Sequence, residues 1–496
     1  MACGFCRRGS PQMVLLIVTV ALLLENLLGT VIIPIAPALV YFMEHPENST
    51  GGTGASEPAL PMHGAPVLDT ETPDSPSPGS SPGSSPGSSP GSSPGSSPGS
   101  SPGSSPGSSP DQQQNRTSNS SRHLDVSFKV GALFATKYLV QLCFSPVVGP
   151  LTNRIGFHIP LFVGFLIMFI STLLFVFADS FVLLFLARGV QGVGASFSFV
   201  AGIGLLATTF PDDLERGQAM SIALGGLALG VICGGPFGSV MYEFVGRSAP
   251  FLVLAGVALL SGALQLCFLR PTQVAPESTK GTPLFTLLRD PYILLAAGGT
   301  VIAQTMISVC DTILPMWMIE TFGASQLLLG IVFLPACVTY TLTMSLFGTL
   351  SQKLGRWRCV IVGLIVNGVT MACVSRCRCR KNIAAVFACV GVLGFSAGIL
   401  EVSLLPIFAQ LVDIRHVSVY GSVYAITDVA LCFGFSCGPL AGGALMDAVG
   451  FSNVMLIFGV ANFLYTPLCY FLRNPPTTDE KKPIVNGDTV KYKVQD

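Results

Sequence analysis

Twelve apolar stretches, each long enough to cross a lipid bilayer, restrict the folds open to this chain. A helix needs about 20 mostly apolar residues to span the ~30 Å hydrocarbon core of a membrane. Apolar residues make up 50% of the 496 residues and charged residues only 10%, which is typical of an integral membrane protein. The first stretch is too long for the apolar region of a signal peptide, so we expect a retained helix. The predicted spans are 13–43, 127–147, 158–178, 180–208, 218–242, 249–269, 292–319, 326–351, 358–375, 383–412, 417–445 and 451–472.

Two polar stretches interrupt this pattern. Residues 44–126 contain a tandem Pro-Gly-Ser-Ser repeat from Pro78 to Pro110, a composition that favours a disordered spacer. Residues 270–291 separate six spans from six, and such a division around a central linker is typical of two-bundle secondary transporters. We therefore predict an all-α membrane protein. Its parts would be a tail at 1–12, a bundle at 13–269 that carries the 44–126 loop, the linker 270–291, a bundle at 292–472 and a tail at 473–496.

The orientation in the membrane follows from the glycosylation sequons. Asn48, Asn115 and Asn119 begin N-x-S/T sequences, and all three fall in the 44–126 loop, which we therefore expect to be lumenal and glycosylated. Both termini and the linker would then be cytosolic, in agreement with the distribution of Lys and Arg among the loops. The basic cluster at 376–381 is an exception to this distribution, because it falls on the predicted lumenal side.

Six ionisable residues lie inside the apolar stretches, each in a different span. An unpaired charge in the middle of a bilayer costs about 2.5–3.5 kcal/mol on insertion scales, so such residues usually serve a function. We expect them to find partners across helices and to move a charged substrate. Zero net charge, five His and the lack of a nucleophile–base set or metal-ligand spacing disfavour nucleic-acid binding, a metal centre and an enzyme. The six are Glu25, Lys137, Arg188, Asp311, Glu401 and Asp428.

Three local motifs are typical of conformational elements in transporters. Gly149 to Gly156 form a short loop that places Arg154 at a helix end, where it can bind carbonyls of a neighbouring helix. Arg188 is followed by Gln191 within a glycine-rich segment, and glycines around Pro236 recur every four residues, which predicts close helix packing and a bend. Together these motifs resemble the signature sequences of the major facilitator superfamily and its proton antiporters.

Longer segments are similar to the vesicular monoamine transporters. The similarity covers nearly all of the chain except the 44–126 loop and the two tails. It is carried by the segments Leu22–Asn26, Leu133–Lys137, Tyr242–Gly246, Asp290–Ile293, Phe333–Pro335 and Leu411–Ile426.

The resemblance implies roles for individual residues. Glu25 would hold the substrate amine, Lys137 and Asp428 would form an ion pair, and Asp311, Glu401 and Asp428 would take part in proton coupling. The implied substrate-binding set is Glu25, Asn26, Gln304, Asp311, Glu401, Phe134, Tyr340 and Phe435. The implied gating or conformational set is Arg154, Arg188, Gln191, Pro236, Trp317 and Phe333.

The function implied by the resemblance is proton-driven antiport of cationic monoamines from the cytosol into acidic secretory or synaptic vesicles. It implies a monomer in the bilayer without a cofactor, dependent on a vesicular proton pump. Glu25, Asp311, Glu401 and Gln304 each differ by one methylene from the family's usual residue, so the preferred amine stays open. Two alternatives also stay open: antiport of another organic cation, such as acetylcholine, a polyamine or a drug, and a transport-inactive scaffold.

Overall fold

The structure is a computed structural model that describes residues 10–44, 110–268, 283–324, 326–377, 382–416, 420–476, 484–486 and 489–491. Almost all of these residues are helical. The helices are α1 (Pro11–Glu44), α2 (Pro110–Ile155), α3 (His158–Val176), α4 (Phe181–Thr209), α5 (Asp213–Phe244), α6 (Ala249–Phe268), α7 (Leu284–Leu287), α8 (Pro291–Phe322), α9 (Gln326–Ile331), α10 (Leu334–Leu354), α11 (Arg356–Cys377), α12 (Ile383–Arg415), α13 (Gly421–Val449) and α14 (Phe451–Tyr465), followed by a 3-10 helix at Thr466–Arg473. We refer to α1–α6 as the N-terminal bundle and to α8–α14 with the 3-10 helix as the C-terminal bundle.

Eleven helices in the described ranges are long and apolar enough to cross a membrane, and each coincides with a predicted span. The predicted span 326–351 is the exception, because it is divided into α9 and α10. Threonine and serine residues on α10 lower its hydropathy below that of the other spans. It is nevertheless a 21-residue helix that packs against α12 and α5, so it occupies the place of a twelfth span.

The predicted disordered loop is only partly accounted for. Residues 45–109, including Asn48 and most of the Pro-Gly-Ser-Ser repeat, lie outside the described residues. Residues 110–126 are helical instead of disordered, and Asn115 and Asn119 lie on this part of α2. The reason is local: Pro110 suits the first position of a helix, and neither glycine nor proline follows it until the membrane span.

Several helices begin and end at residues suited to that position. The carboxylate of Asp212 accepts hydrogen bonds from the backbone N–H groups of Leu214 and Glu215 and thereby caps α5. Asp290 caps α8 in the same way, with Pro291 in the first turn. Between α2 and α3, Gly156 adopts a φ of 80°, a left-handed conformation that favours glycine. Of the motif predicted as a loop from Gly149 to Gly156, only Gly156 lies in this turn, because α2 continues to Ile155.

The glycine-rich face of α5 packs against α1, as its sequence spacing predicts. A Cβ atom at Gly238 would lie 2.6 Å from the Val31 carbonyl oxygen, and one at Gly226 would lie 2.7 Å from that of Thr19. Pro236 lies within this face, next to Gly234 and Gly238. The absence of side chains on the glycines lets the two backbones approach closely, which fixes the position of Glu25 on α1.

A short sheet follows the last helix and was not part of the all-α prediction. Strand β1 (Ile484–Asn486) pairs antiparallel with β2 (Thr489–Lys491), with Val485 opposite Val490. The two residues between the paired Asn486 and Thr489 are Gly487 and Asp488 in the sequence, a dipeptide typical of a hairpin turn, so a local signal for this element was present.

Candidate functional site

Glu25 and Lys137 form an ion pair inside the N-terminal bundle. The Lys137 Nζ atom lies 3.5 Å from Glu25 Oε1, and the two side chains are only 4% and 5% exposed. The predicted pair between Lys137 and Asp428 is therefore wrong for this conformation. The second carboxylate oxygen of Glu25, Oε2, is buried and has no hydrogen-bond partner within the described ranges. The Glu25 carboxylate thus retains capacity to accept a further hydrogen bond.

Asp428 is held by neutral donors from the opposite bundle. Gln141 Nε2 donates to Asp428 Oδ1 over 2.9 Å, and the Ser145 hydroxyl donates to Oδ2. Gln141 and Ser145 follow Lys137 by one and two turns of α2, so all three residues lie on the same face of that helix. Asp428 on α13 lies at the height of Gln141 and Ser145 and not of Lys137, so its carboxylate contacts the Gln141 amide and the Ser145 hydroxyl. Its contacts join α13 to α2 across the interface between the bundles.

The positive charge of Arg188 is stabilised by hydrogen bonds to neutral carbonyl oxygens and not by a carboxylate. Its Nη2 donates to the Gly29 carbonyl oxygen over 3.1 Å, and its Nη1 donates to Gln191 Oε1 over 2.6 Å. The guanidinium carbon lies 5.5 Å from the centroid of the Phe134 ring, a distance suited to a cation–π contact. The structure thus brings together the predicted residues Arg188, Gln191 and Phe134, one turn of α1 away from Glu25.

Glu401 is the acid at the centre of the C-terminal bundle. The Tyr340 hydroxyl donates to Glu401 Oε2 over 2.5 Å, and the Gln304 side chain also hydrogen-bonds Glu401. Glu401 and Gln304 line a cavity of about 20 Å³, together with the hydroxyl-bearing Thr300 and Thr427. A cavity of this size with several polar partners can hold one water molecule. The predicted set of Glu401, Tyr340 and Gln304 therefore forms one hydrogen-bonded unit.

Asp311 lies two turns beyond Gln304 on α8. Seven residues correspond to almost two full turns, so Asp311 and Gln304 lie on the same face of the helix. The Asp311 side chain is exposed, in contrast to the buried Gln304. The structure thus places two predicted acids, Asp311 and Glu401, on facing helices at different depths.

An aromatic stack crosses the interface between the bundles near these acids. The ring of Tyr138 on α2 stacks on that of Phe435 on α13, with centroids 4.9 Å apart and planes inclined by 12°. The Lys137 Nζ atom lies 5.0 Å from the Tyr138 centroid. Phe435 was among the predicted residues, whereas Tyr138 was missed because a single aromatic residue in an apolar span carries no distinguishing signal.

The predicted residues Asn26, Trp317 and Phe333 are among those that do not join this network. Asn26 donates to the Leu22 carbonyl within α1 and faces Gly230 of α5, because each helical residue turns by about 100° and directs Asn26 away from Glu25. Trp317 is buried in the apolar core of the C-terminal bundle, where it stacks on Phe451 at 4.4 Å, and Phe333 packs against the same core. The substrate role of Asn26 therefore stays a prediction, with its side chain turned towards α5 in this conformation. Trp317 and Phe333 pack within the core of the C-terminal bundle.

A second polar network joins the bundles on the membrane side at which α2, α10 and α12 end and α5, α11 and α13 begin. We call this the linker side, because residues 283–290 lie there as well. Arg216 Nη1 donates to Asp413 Oδ2 over 2.7 Å, and Tyr420 donates to Asp413 Oδ1 over 2.7 Å. Arg216 and Arg356 also share Asp213 Oδ1, at 2.8 and 2.9 Å. Arg216 is almost completely buried, so this network closes the linker side.

The last two turns of α2 add to this closure. The side-chain amide of Asn153 donates to Ser422 Oγ over 2.8 Å, and a Cβ atom at Gly149 would lie 2.8 Å from the Gly421 carbonyl oxygen. Arg154, the predicted gating residue, is exposed in the last turn of α2. The hydrogen bond from this end of α2 to the opposite bundle is thus made by Asn153, the neighbour of the predicted residue.

Asp290 anchors the start of α8 to the end of α12. Its Oδ2 accepts from Arg415 Nε at 2.6 Å and contacts His416 Nε2 at 2.8 Å. Burial favours the neutral form of this carboxyl group, but the hydrogen bonds from His416, Arg415 and the Tyr292 backbone outweigh it and lower the Asp290 pKa to about 2. Asp290 therefore remains a carboxylate at any pH that the protein meets in a cell.

Sequence reasoning missed the linker-side network as a group. Arg216, Asp213 and Asp413 lie at the ends of spans, where charged residues are ordinary, and only their three-dimensional positions reveal the pairing. Within the described part of the chain, no group of three His, Cys, Asp or Glu side chains is arranged to hold a metal ion.

Comparison with known proteins assigns the family. The sequence profile of the Major Facilitator Superfamily matches residues 117–309 and 296–493. The chain is similar to the human chromaffin granule amine transporter, with 48% identity over 97% of this chain and 91% of that protein, and to the human synaptic vesicular amine transporter, with 44% identity over 96% and 91%.

More distant proteins agree with this assignment. The rat vesicular acetylcholine transporter is 35% identical over 93% of this chain and 83% of that protein. The crystal structure of the human organic anion transporter MFSD10 matches with a TM-score of 0.67 and 13% identity, covering 93% of this chain and 100% of that one, which shows a common fold. The chain belongs to the Major Facilitator Superfamily and, within it, to the vesicular amine transporters.

Proposed function

We propose that the protein exchanges cytosolic monoamines for lumenal protons and thereby loads acidic secretory or synaptic vesicles. The observation that carries this proposal is the buried Glu25–Lys137 pair, in which one carboxylate oxygen of Glu25 has no partner among the described residues. A protonated amine can bind such a carboxylate in place of the lysine ammonium. The amine would also find aromatic faces nearby, those of Phe134 and of the Tyr138–Phe435 stack, which attract cations.

The comparisons support monoamines over acetylcholine. The relatives named as amine transporters share 44–48% identity with this chain, whereas the relative named as an acetylcholine transporter shares 35%. A primary ammonium can donate hydrogen bonds to Glu25, whereas a quaternary ammonium cannot. The unpartnered oxygen of Glu25 therefore favours a substrate with N–H groups.

Proton coupling would use the acids of the C-terminal bundle. In a conformation closed on the linker side, lumenal protons reach Asp311, which is exposed, and then Glu401 beside its water-sized cavity. Protonation removes the negative charge that attracts the amine, so the amine leaves to the lumen. The bundles then rock about the central site, the linker-side network opens, and the proton is released to the cytosol. Asp428, held only by neutral donors, would serve as a third site of protonation.

The location and orientation follow from this role. We place both termini and the linker side in the cytosol, and the glycosylation sites Asn48, Asn115 and Asn119 in the vesicle lumen. A vesicular proton pump would supply the gradient, and the chain would act as a monomer in the bilayer without a cofactor.

The test is uptake into proteoliposomes with an acidic interior. We expect accumulation of serotonin, dopamine, noradrenaline, adrenaline and histamine well above that of acetylcholine or a polyamine, and its loss when the gradient is collapsed. Glu25→Gln should abolish uptake, and because it leaves the buried Lys137 without its carboxylate it should also lower stability, so uptake is compared at equal amounts of folded protein. Asn26→Ala is the matched control, because Asn26 lies next to Glu25 but faces α5, and it should retain uptake. Equal uptake of acetylcholine, or normal amine affinity in Glu25→Gln, would contradict the proposal.

A further inference from the structure

A second cavity, of about 400 Å³, opens on the linker side, apart from the acids of the central site. It lies between the two bundles, because α5 contributes one wall and α10–α12 with the 3-10 helix contribute the others. Its volume falls within the range of small-ligand sites. The polar and aromatic residues that line it are Asp213, Gln352, Arg356, Trp357, Gln410 and Arg473.

The rim of this cavity is basic and aromatic. The guanidinium carbons of Arg358 and Arg473 lie 5.3 and 5.6 Å from the centroid of the Trp357 ring. Tyr470 meets Trp357 edge to face at 5.7 Å and accepts a hydrogen bond of 3.0 Å from Arg473 Nη1. Both arginines are exposed, and Arg358 Nη1 also donates to the Leu354 carbonyl oxygen over 3.4 Å, so these contacts hold two exposed guanidinium groups in place.

The single acid of the lining does not cancel this charge. Asp213 Oδ1 is already bound by Arg216 and by Arg356, so its charge is neutralised within the linker-side network. Arg356 is buried, and its Nε atom has no hydrogen-bond partner in the described part of the chain. The positive charge that remains is that of Arg473 on the lining and of Arg358 beside Trp357, so the mouth of the cavity attracts anions.

The position of the cavity indicates the source of the anion. Trp and Tyr concentrate at the membrane–water interface, and Trp357 and Tyr470 lie at the start of α11 and beyond the end of α14. Next to them, Leu354, Leu468 and Phe471 are exposed apolar residues, which suits contact with acyl chains. The cavity therefore opens at the depth of lipid headgroups.

We propose that this cavity binds a phosphate-bearing headgroup at the membrane surface and that its occupant stabilises the closed linker side. Planar guanidinium groups bind phosphate through paired, charge-assisted hydrogen bonds, and an anion on Arg473 would also lie beside Arg356, whose partner Asp213 belongs to α5 of the N-terminal bundle. The cavity exists only while α5 contacts α11 and α12, so an occupant favours that conformation by mass action. This inference is independent of which amine is carried.

The experiment uses the full chain in phosphatidylcholine nanodiscs with or without a phosphatidylinositol phosphate. We expect the anionic lipid to be retained on the protein, measured by mass spectrometry, and to raise its melting temperature. Arg473→Gln and Arg358→Gln should each weaken retention about tenfold, because each removes one charge-assisted contact. Arg289→Gln is the matched control, since Arg289 is an exposed arginine on the same side that neither lines the cavity nor contacts Trp357 at its rim.

Soluble inositol bisphosphate distinguishes the two sources of phosphate. If it stabilises the protein only weakly while the lipid stabilises strongly, the occupant is a lipid; equal stabilisation assigns the site to a soluble phosphate compound. The proposal is overturned if Arg289→Gln weakens retention as much as Arg473→Gln, or if neither phosphate compound changes the melting temperature. Neither result bears on amine uptake, so the site and the proposed function fail separately.

Discussion

Replacing Lys137 with methionine tests which acid this lysine neutralises. At the observed 3.5 Å and an effective dielectric constant of ~20, the attraction between Lys137 and Glu25 is about 5 kcal/mol. Lys137→Met retains the length of the side chain but leaves Glu25 as an uncompensated buried charge, which costs about 3–5 kcal/mol. Adding Glu25→Gln removes that charge, so the double variant should recover part of the loss. We expect a coupling energy of about 2–3 kcal/mol between the two sites.

A second double-mutant cycle combines Lys137→Met with Asp428→Asn. Since Gln141 and Ser145 hold Asp428 in the structure, we expect a coupling energy below about 1 kcal/mol for this pair. The unfolding free energies can be measured by reversible SDS titration in mixed micelles. A larger coupling of Lys137 to Asp428 than to Glu25 would refute the pairing that the structure shows.

Three further changes test the rest of the site. Tyr340→Phe removes the 2.5 Å hydrogen bond to Glu401 and should lower stability by about 1.5–3 kcal/mol and slow uptake; unchanged melting and uptake would count against that contact. Asp290→Asn should destabilise the protein at neutral pH, because the depressed pKa of about 2 keeps the carboxylate ionised and its contribution is lost only as the pH falls from about 4 towards 2. Equal thermal melting of the variant and the unaltered protein at neutral pH would contradict this. Asp413→Asn removes the ion pair with Arg216 and should speed hydrogen exchange in the first turn of α13; unaltered exchange would show that the linker side closes without it.

Much of the fold could be predicted from the sequence because membrane insertion makes length and apolarity decisive. Every backbone polar group in the bilayer must be satisfied within its own helix, so an apolar stretch of sufficient length has few alternatives. The predicted span that differs from the structure is 326–351, which forms the two helices α9 and α10. Threonine and serine residues make α10 less apolar than the other spans. The helical residues 110–126 were missed because their polar composition was assigned to the loop as a whole.

The members of the site could be predicted, but their partners could not. Lys137 and Asp428 are each recognisable as a charge in an apolar span, yet the rotation and depth of α2 and α13 decide which groups meet. The same limit applies to Asn26, whose neighbour Glu25 faces the site while Asn26 faces α5. Buried charges are identified by their cost, whereas their pairing depends on tertiary packing.

The most direct test of the account follows the pH inside acidified proteoliposomes after serotonin is added outside. If amine entry is exchanged for protons, the internal pH should rise as the amine accumulates. Glu401→Gln cannot take up the proton at the centre of the C-terminal bundle, so this variant should bind the amine but abolish the pH rise. Accumulation of serotonin without any change of internal pH, or the same pH rise in Glu401→Gln as in the unaltered protein, would contradict the central claim.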